Sequence, residues 1–333
     1  MTVLVTGAAG FIGYSLAERL LTDGKDVVGI DNLTPYYDVA LKEARLDRLR
    51  RHAAFRFERL DLANREAMAV FFGSGRYETV AHLAAQAGVR HSYDHPLDFA
   101  DANLLGFSHL LEGARVGKVR HLVFASSSSV YGANRKVPFS EDDRVDHPIS
   151  FYAATKRANE LAAHTYAHLH GIPCTGLRFF TVYGPWGRPD MALFKFTRLI
   201  LAGEPIPVYN DGRMTRDFTF VDDIVEGIVR VLAQPPVPGA SADEGTGAPY
   251  RIYNIGNGRP VELIDYIRTL EQSLGRPARL QLLPRVPGDM LATMADVTRL
   301  QAAVGYRPVV TVAEGIRRFV DWYRDFYKVP ADA

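Results

Sequence analysis

The chain has 333 residues, 47% of them hydrophobic, and its 39 Lys plus Arg against 38 Asp plus Glu leave a formal net charge of +1. A chain of this length buries a sizeable core as one large domain or two interlocked ones, and the balanced charge excludes a global field that would draw it to nucleic acid or an anionic membrane. Its single cysteine, Cys174, excludes an intrachain disulfide and a thiolate metal cluster.

The opening segment, MTVLVTGAAGFIG, lacks the basic region and long apolar stretch of a signal peptide. No run approaches the roughly 20 apolar residues that span a bilayer, so the cytoplasm is the expected compartment. Residues 3–5 predict a strand that runs into Gly7-Ala8-Ala9-Gly10-Phe11-Ile12-Gly13 and then a helix over 14–22, ending at Gly24. Further strands are predicted at 27–30, 55–59, 79–83 and 121–125, with apolar residues at helical spacing in 64–72 and 99–115 between them. A long helix follows over 150–170 and a strand over 174–178, where Cys174 reads as a packed thiol rather than a nucleophile. Strands alternating with helices predict parallel pairing and a sheet covered on both faces.

Beyond Phe180 glycine and proline become frequent and the alternation fades, as in segments that shape a ligand pocket. A helix over 222–232, an exposed loop over 234–250, a strand over 251–255 and helices over 263–274 and 312–327 complete the expectation. The predicted fold class is α/β: a Rossmann-like doubly wound parallel sheet with a smaller C-terminal α/β substrate-binding domain. Residues 1–178 form the first unit, with returning segments near 215–256, and 179–333 mainly the second.

Gly7, Gly10 and Gly13 sit between a strand and a helix, where glycine permits a tight turn and lets backbone approach a pyrophosphate. The helix N-terminus then offers unpaired N–H groups to the phosphates. Asp31 ends the second strand, where a carboxylate accepts bonds from both adenosine ribose hydroxyls and repels a 2′-phosphate, so NAD is expected rather than NADP. The competing reading of Asp31 is a loop cap. Asp61-Leu62 and Leu83-Ala84-Ala85 follow the third and fourth strands, at the ends where such sheets bind ligands; for Asp61 an adenine contact and a helix N-cap stay open.

Tyr152 and Lys156 are four apart on a helical face. A neighbouring ammonium and a cationic nicotinamide favour the phenolate of a residue whose ordinary pKa is about 10. Ser126-Ser127-Ser128-Ser129 follow the fifth strand, about 25 residues before the tyrosine, where a hydroxyl can sit beside a reacting oxygen. His164 and His168 are four apart with no third ligand evident, so no metal is expected.

GAAGFIG, the SSSSVYG run, YAATK and RDFTFVDD together resemble the extended short-chain dehydrogenase/reductases that modify nucleotide sugars, over nearly the whole chain. YYDVALKEARL and RFFTVYGPWGRPDMALFKF bring it nearest to UDP-glucuronate 4-epimerases. The resemblance implies Ser127, Tyr152 and Lys156 as the catalytic trio, tightly bound NAD, a UDP-sugar substrate and a homodimer. It assigns Phe11, Ile12, Asn32, Asn103 and Phe179 to the cofactor along with the residues above.

For the sugar acid it implies Ser128, Ser129, Thr181 and Arg188 as carboxylate donors, although Arg188 also reads as a solvated loop arginine and Thr181 as a strand cap. Arg216 and Lys195 are the diphosphate candidates, with Arg213 and Arg285 weaker ones. Val208 and Tyr209 are assigned to the uracil, and Asp289 to the uridine ribose or a structural cap. Arg90 faces the diphosphate, the carboxylate or solvent. Similar 4,6-dehydratases carry an Asp-Glu pair, and similar decarboxylases a Glu, where this chain has Ser128 and Ser129, so 4-epimerisation is expected. UDP-glucose 4-epimerisation is the nearest rival, disfavoured by Phe179-Phe180-Thr181 where those enzymes have Tyr-Phe-Asn. A UDP-glucuronate decarboxylase and a non-catalytic NAD sensor are the others.

Overall fold

The computed structural model describes residues 2–239, 247–284 and 290–330. Its first part runs β1 (Thr2–Thr6), α1 (Phe11–Thr22), β2 (Asp26–Asp31), α2 (Val39–Leu49), β3 (Phe55–Arg59), α3 (Arg65–Ser74) and β4 (Thr79–His82). The chain then passes through α4 (His91–Asp94), α5 (Pro96–Phe99), a π-helical stretch Ala100–Leu105 and α6 (Gly106–Val116) to β5 (His121–Ser127), α7 (Phe151–His170) and β6 (Cys174–Phe179). The second part holds β7 (Thr181–Tyr183), α8 (Ala192–Leu201), β8 (Ile206–Tyr209), β9 (Thr215–Arg216), β10 (Phe218–Phe220), α9 (Val221–Leu232) and β11 (Tyr250–Ile255). It ends with β12 (Val261–Glu262), α10 (Leu263–Leu274), β13 (Leu280–Leu283), α11 (Thr298–Val304) and α12 (Val312–Tyr327).

Among the described residues, seven strands form one sheet in the order β11-β6-β5-β4-β1-β2-β3, every neighbouring pair parallel. Parallel strands covered on both faces must be apolar on both sides. Accordingly Val3, Leu4 and Val5 of β1 and Leu122, Val123 and Phe124 of β5 are buried in succession rather than alternately. After β3 the chain crosses back to the other side of β1 to lay down β4. Strand order therefore reverses at β1, and the crevice outside the carboxyl ends of β1 and β4 is the natural ligand site of such a sheet.

The strand β11 returns along β6 from Cys174 paired with Tyr250 to Phe179 paired with Ile255, so a segment far along the chain completes the large sheet. The remaining strands pair in twos: β7 with β10 and β8 with β13 in parallel, β9 with β12 antiparallel. Trp186, Phe194, Phe319, Trp322 and Tyr323 pack ring on ring beneath this second layer.

Of the helices that lie where none was predicted, α2 and α8 are the longest. The first, α2, starts because Asp38 accepts the Ala40 amide at 2.9 Å, and it buries Leu41, Leu46 and Leu49. The second, α8, buries Leu193, Phe194, Phe196, Thr197 and Ile200 inside a stretch whose flanking glycines and prolines suggested loop. The predicted loop over 234–250 is described only at its two ends, and Arg285 and Asp289 lie outside the described residues. Among the described residues no helix is long and apolar enough to cross a membrane.

Candidate active site

The carboxyl ends of β1, β2, β4, β5 and β6 open into a cleft of about 980 Å³. Its floor begins at the glycine turn. Gly7 adopts φ 72°, and a Cβ there would lie 2.7 Å from the Ala84 amide nitrogen, so only glycine lets this turn lie against the end of β4. A Cβ on Gly13 would collide with the Gly7 carbonyl. Gly10 is the N-cap of α1 and brings no side-chain cap, leaving the first amides of the helix toward the cleft. The cradle therefore suits a dinucleotide pyrophosphate.

Asp31 lines the cleft and is also a loop cap: Oδ2 accepts from the Ala9 amide at 3.2 Å and Oδ1 from the Leu33 amide at 2.8 Å. The loop-cap reading therefore holds, in a side chain that also lines the cleft. Asp61 is not a helix N-cap. Asn64 caps α3, accepting the Ala67 amide at 3.0 Å, whereas Asp61 accepts the Ala63 amide at 2.9 Å and the Asn32 side-chain amide at 3.1 Å. Phe11, Ile12, Asn32, Leu62, Leu83, Ala84, Ala85 and Phe179 all line the cleft.

Asn103 lies behind the wall rather than in it. Its side-chain amide accepts from the Gln86 amide at 2.8 Å and donates to the Gln86 carbonyl at 3.0 Å and to Thr155 at 3.1 Å. It thereby fixes Gln86, which lines the cleft and whose buried Nε2 has no partner among the described residues. A buried amide left without a partner is unfavourable unless a ligand satisfies it, so Gln86 joins the candidates. Its position just past the fourth strand was the signal that could have found it.

The helix α7 carries Tyr152 and Lys156. It starts at Ser150, whose hydroxyl accepts the Ala153 amide at 3.1 Å, and ends at Gly171 in the left-handed region with φ 66°. Lys156 is buried, donates to the Ala125 carbonyl at 2.9 Å, and has its pKa pulled down to about 8 by burial. Tyr152 is half-buried. Burial pushes its phenol above the ordinary value, while a hydrogen bond shared with Ser127 and the charge of Arg188 pull the other way. Arg188 therefore joins Lys156, one helical turn from Tyr152, as a cation on the wall of this cleft.

Ser127 is the last residue of β5, and its hydroxyl also accepts the Ser129 amide at 3.1 Å. This bond starts the short 3₁₀ turn Ser128–Tyr131 that turns Ser128 and Ser129 into the cleft. Thr181, Arg188, Lys195 and Arg216 stand in the same lining. Arg188 is not a solvated loop arginine: its Nε donates to Asp190 at 3.0 Å and its Nη2 at 2.5 Å.

Buried Arg45 of α2 donates to the Ala9 carbonyl of the glycine turn at 2.8 Å and to the Trp186 carbonyl at 2.5 Å, holding the Arg188 loop against the cofactor floor. Tyr36, Lys42 and Asp190 also line the cleft. Reading α2 and its lead-in as a helix and its cap would have flagged the first two, while only the fold shows that Asp190 folds back on Arg188.

Arg90 lines the cleft and lies over the Tyr209 ring, 4.3 Å from its centroid, so these two meet although the sequence linked them to different parts of the substrate. Val208 is a correction. It is fully buried in the hydrophobic core, because successive strand residues face opposite sides and Tyr209 takes the open one. Arg213 is exposed. Cys174 is buried with its thiol pushed up to about 12, a packed and unreactive group. Among the described residues no group of three His, Cys, Asp or Glu is placed to hold a metal ion.

A glycine cradle at the switch point of a doubly wound sheet, opening onto a tyrosine, a lysine and a serine, defines a dinucleotide-dependent enzyme that works at a carbon bearing a hydroxyl. The chain belongs to the NAD dependent epimerase/dehydratase family, whose model matches residues 3–256. A probable UDP-glucuronate 4-epimerase of Rhizobium meliloti is 49% identical over 335 residues, covering 98% of this chain and 98% of that protein. The UDP-glucuronic acid 4-epimerase of Bacillus cereus, solved with UDP-glucuronic acid and NAD, superposes with a TM-score of 0.88 at 33% identity over 98% of this chain and 100% of that one. A UDP-glucose 4-epimerase of Thermotoga maritima, solved with UDP-glucose, superposes with a TM-score of 0.85 at 30% identity over 98% of this chain and 100% of that one.

Proposed function

We propose that this protein is an NAD-dependent isomerase that interconverts UDP-glucuronate and UDP-galacturonate by inverting C4 through a 4-keto sugar. Bound NAD would supply the hydride acceptor for C4 and, after the sugar has turned, the hydride donor. The amides of the Gly7–Gly13 turn and α1 hold the pyrophosphate, and Asp31 the adenosine ribose.

Tyr152 takes the proton of the 4-hydroxyl and gives it back after the sugar has turned, with Ser127 holding the same oxygen. Lys156, one helical turn away, holds the nicotinamide ribose. Ser128, Ser129, Thr181 and Arg188 hold the sugar carboxylate. A 4-keto sugar acid is a β-keto acid and loses CO2 when the bond to its carboxylate lies parallel to the carbonyl π system, so these donors must keep that bond out of line. Arg216, Lys195 and Arg90 face the diphosphate, and Tyr209 the uracil.

The observation that carries this reading is the meeting of Ser127, Ser128 and Ser129 with Tyr152 and Arg188 in one cleft, with hydroxyls rather than carboxylates at 128 and 129. Incubating the purified protein with UDP-glucuronate tests it: UDP-galacturonate accumulates without added nicotinamide. A pentose product would instead make the protein a decarboxylase, and turnover restricted to UDP-glucose would make it the neutral-sugar epimerase.

A homodimer is part of the proposal. Leu97 of α5 and Leu161 and Leu169 of α7 are 76%, 55% and 66% exposed, on neighbouring helices of one face. A second copy of that face would cover them. Light scattering reads the mass.

A further inference from the structure

Two residues beyond Arg188 the chain returns a carboxylate to the same wall of the cleft. Asp190 takes Nε and Nη2 of Arg188 in a two-pronged pair, and its Oδ2 also accepts the Tyr36 hydroxyl at 3.2 Å. The side chains of Arg188 and Asp190 are 22% and 31% exposed, partly withdrawn from water yet open to the cleft that both line. Tyr36 fixes Asp190 from across the rim. Its ring lies 4.8 Å from that of His91, and its hydroxyl would stand 2.6 Å from a Cβ on Gly88. Asp190 is therefore held by Tyr36 as well as by Arg188, and the pair is not a passing contact of a mobile arginine.

We infer that Asp190 is a specificity-determining residue that tempers the charge Arg188 offers to the sugar carboxylate, so that the acid is attracted to the cleft without being locked in one pose. The inference rests on the cleft being that of a sugar-acid 4-epimerase. With its Nε/Nη2 edge engaged, Arg188 still has one N–H of Nη2 and both of Nη1 for the substrate, and Asp190 offsets the charge behind them. A guanidinium with no counter-charge would grip the carboxylate harder through the same charge-assisted bonds. Tight binding of one ground-state pose does not speed a reaction whose middle step is rotation of the whole sugar. The same charge reaches the reacting end, since Arg188 pulls the Tyr152 phenol downward. Asp190 thus sets how strongly one cation acts on both the carboxylate and the acid–base residue. A neutral UDP-sugar has no carboxylate to feel this, which makes the effect substrate-selective.

The test compares the wild-type holoenzyme with Asp190→Asn and Asp190→Ser, two charge-removing replacements that differ in packing. Each is measured for KM and kcat on UDP-glucuronate and for inhibition by UDP-glucose, with bound NAD content as the check on folding. The expected result is a KM for UDP-glucuronate lower by roughly three- to five-fold, the upper part of the scale of a partly exposed ion pair, with kcat falling alongside it. The UDP-glucose inhibition constant moves less than about two-fold, because no full charge is involved. In an Arg188→Gln background the Asp190→Asn change loses this selectivity, because its partner is gone. Equal shifts for both ligands, weaker binding of UDP-glucuronate, or the same selectivity without Arg188 would each overturn the inference while leaving the epimerase reading intact. A wild-type enzyme that does not convert UDP-glucuronate at all overturns both.

Discussion

Replacing Lys156 with methionine should yield a protein that is inactive and yet more stable at neutral pH. Lys156 is 2% exposed, and burial brings its pKa from 10.5 to about 8. At pH 7 the group is charged in both folded and unfolded chains, and the shift corresponds to a cost of about 3 kcal/mol for holding that charge in the fold. Its bond to the Ala125 carbonyl at 2.9 Å returns about 1 kcal/mol. Methionine fills nearly the same volume without charge, so the net gain is about 2 kcal/mol, or about 3 °C in Tm for a chain of 333 residues. Between pH 8 and 10.5 the unfolded chain binds more protons at this lysine than the folded one, so wild-type stability rises with pH across that window. The methionine variant lacks this rise, and its advantage shrinks toward high pH. Urea unfolding of NAD-stripped wild-type and variant protein at pH 7 and pH 9.5 measures both effects. A variant less stable than wild type at pH 7, or an advantage that grows with pH, would refute the reasoning.

Tyr152→Phe removes the only proton acceptor placed on the sugar's 4-oxygen in this mechanism, so turnover should fall about 10²- to 10⁴-fold while NAD stays bound, as read by product chromatography and cofactor content. Gly13→Ala forces a Cβ onto the Gly7 carbonyl, so the purified variant should carry little NAD, visible in its ultraviolet spectrum. Glu160 is buried and paired with Arg178 at 2.8 Å; Glu160→Ala leaves that guanidinium buried without its partner and should cost about 3–5 kcal/mol, measured as a lower midpoint in denaturant. Burial pushes the Glu160 carboxyl up, but the Arg178 bonds and charge with the Ser126 hydroxyl outweigh it and leave its pKa lowered. Its contribution is therefore present above the ordinary carboxylate range and lost as pH falls through the lowered value, so acid should erase the difference between Glu160→Ala and wild type.

The large sheet was legible because its strands are buried on both faces and read as unbroken apolar runs. The glycine turn, Asp31, Tyr152 and Lys156 were legible because each has a backbone or spacing reason to be where it is. What the sequence hid lies between elements. Helix α2 was missed because its apolar positions, Leu41, Leu46 and Leu49, are sparse among charged residues, and with it went Lys42 and Arg45. Helix α8 was masked by prolines and glycines at its flanks. Asp190 could not be assigned to Arg188 because two residues apart on a loop implies no contact until the turn is known. Val208 was misassigned because a four-residue strand does not announce which of its faces is open.

The serine run shows most directly how a fold divides work that a sequence leaves undivided. Ser126 and Ser127 end a strand, so their side chains leave on opposite faces. Ser126 turns inward and donates to Glu160 at 2.6 Å, and that same carboxylate takes Arg178 at 2.8 and 3.0 Å. Arg178 in turn donates to the Tyr131 hydroxyl at 3.1 Å, which donates to Asn254 of β11 at 2.6 Å. One turn before Glu160 on the same helix, Lys156 donates to the carbonyl of Ala125, the residue before Ser126. The end of β5 is thus tied to α7 by two bonds at consecutive residues. Ser127, the next residue, is carried by this double tie to the Tyr152 phenol. The alignment of the acid–base pair therefore depends on a buried ion pair that touches neither of its members.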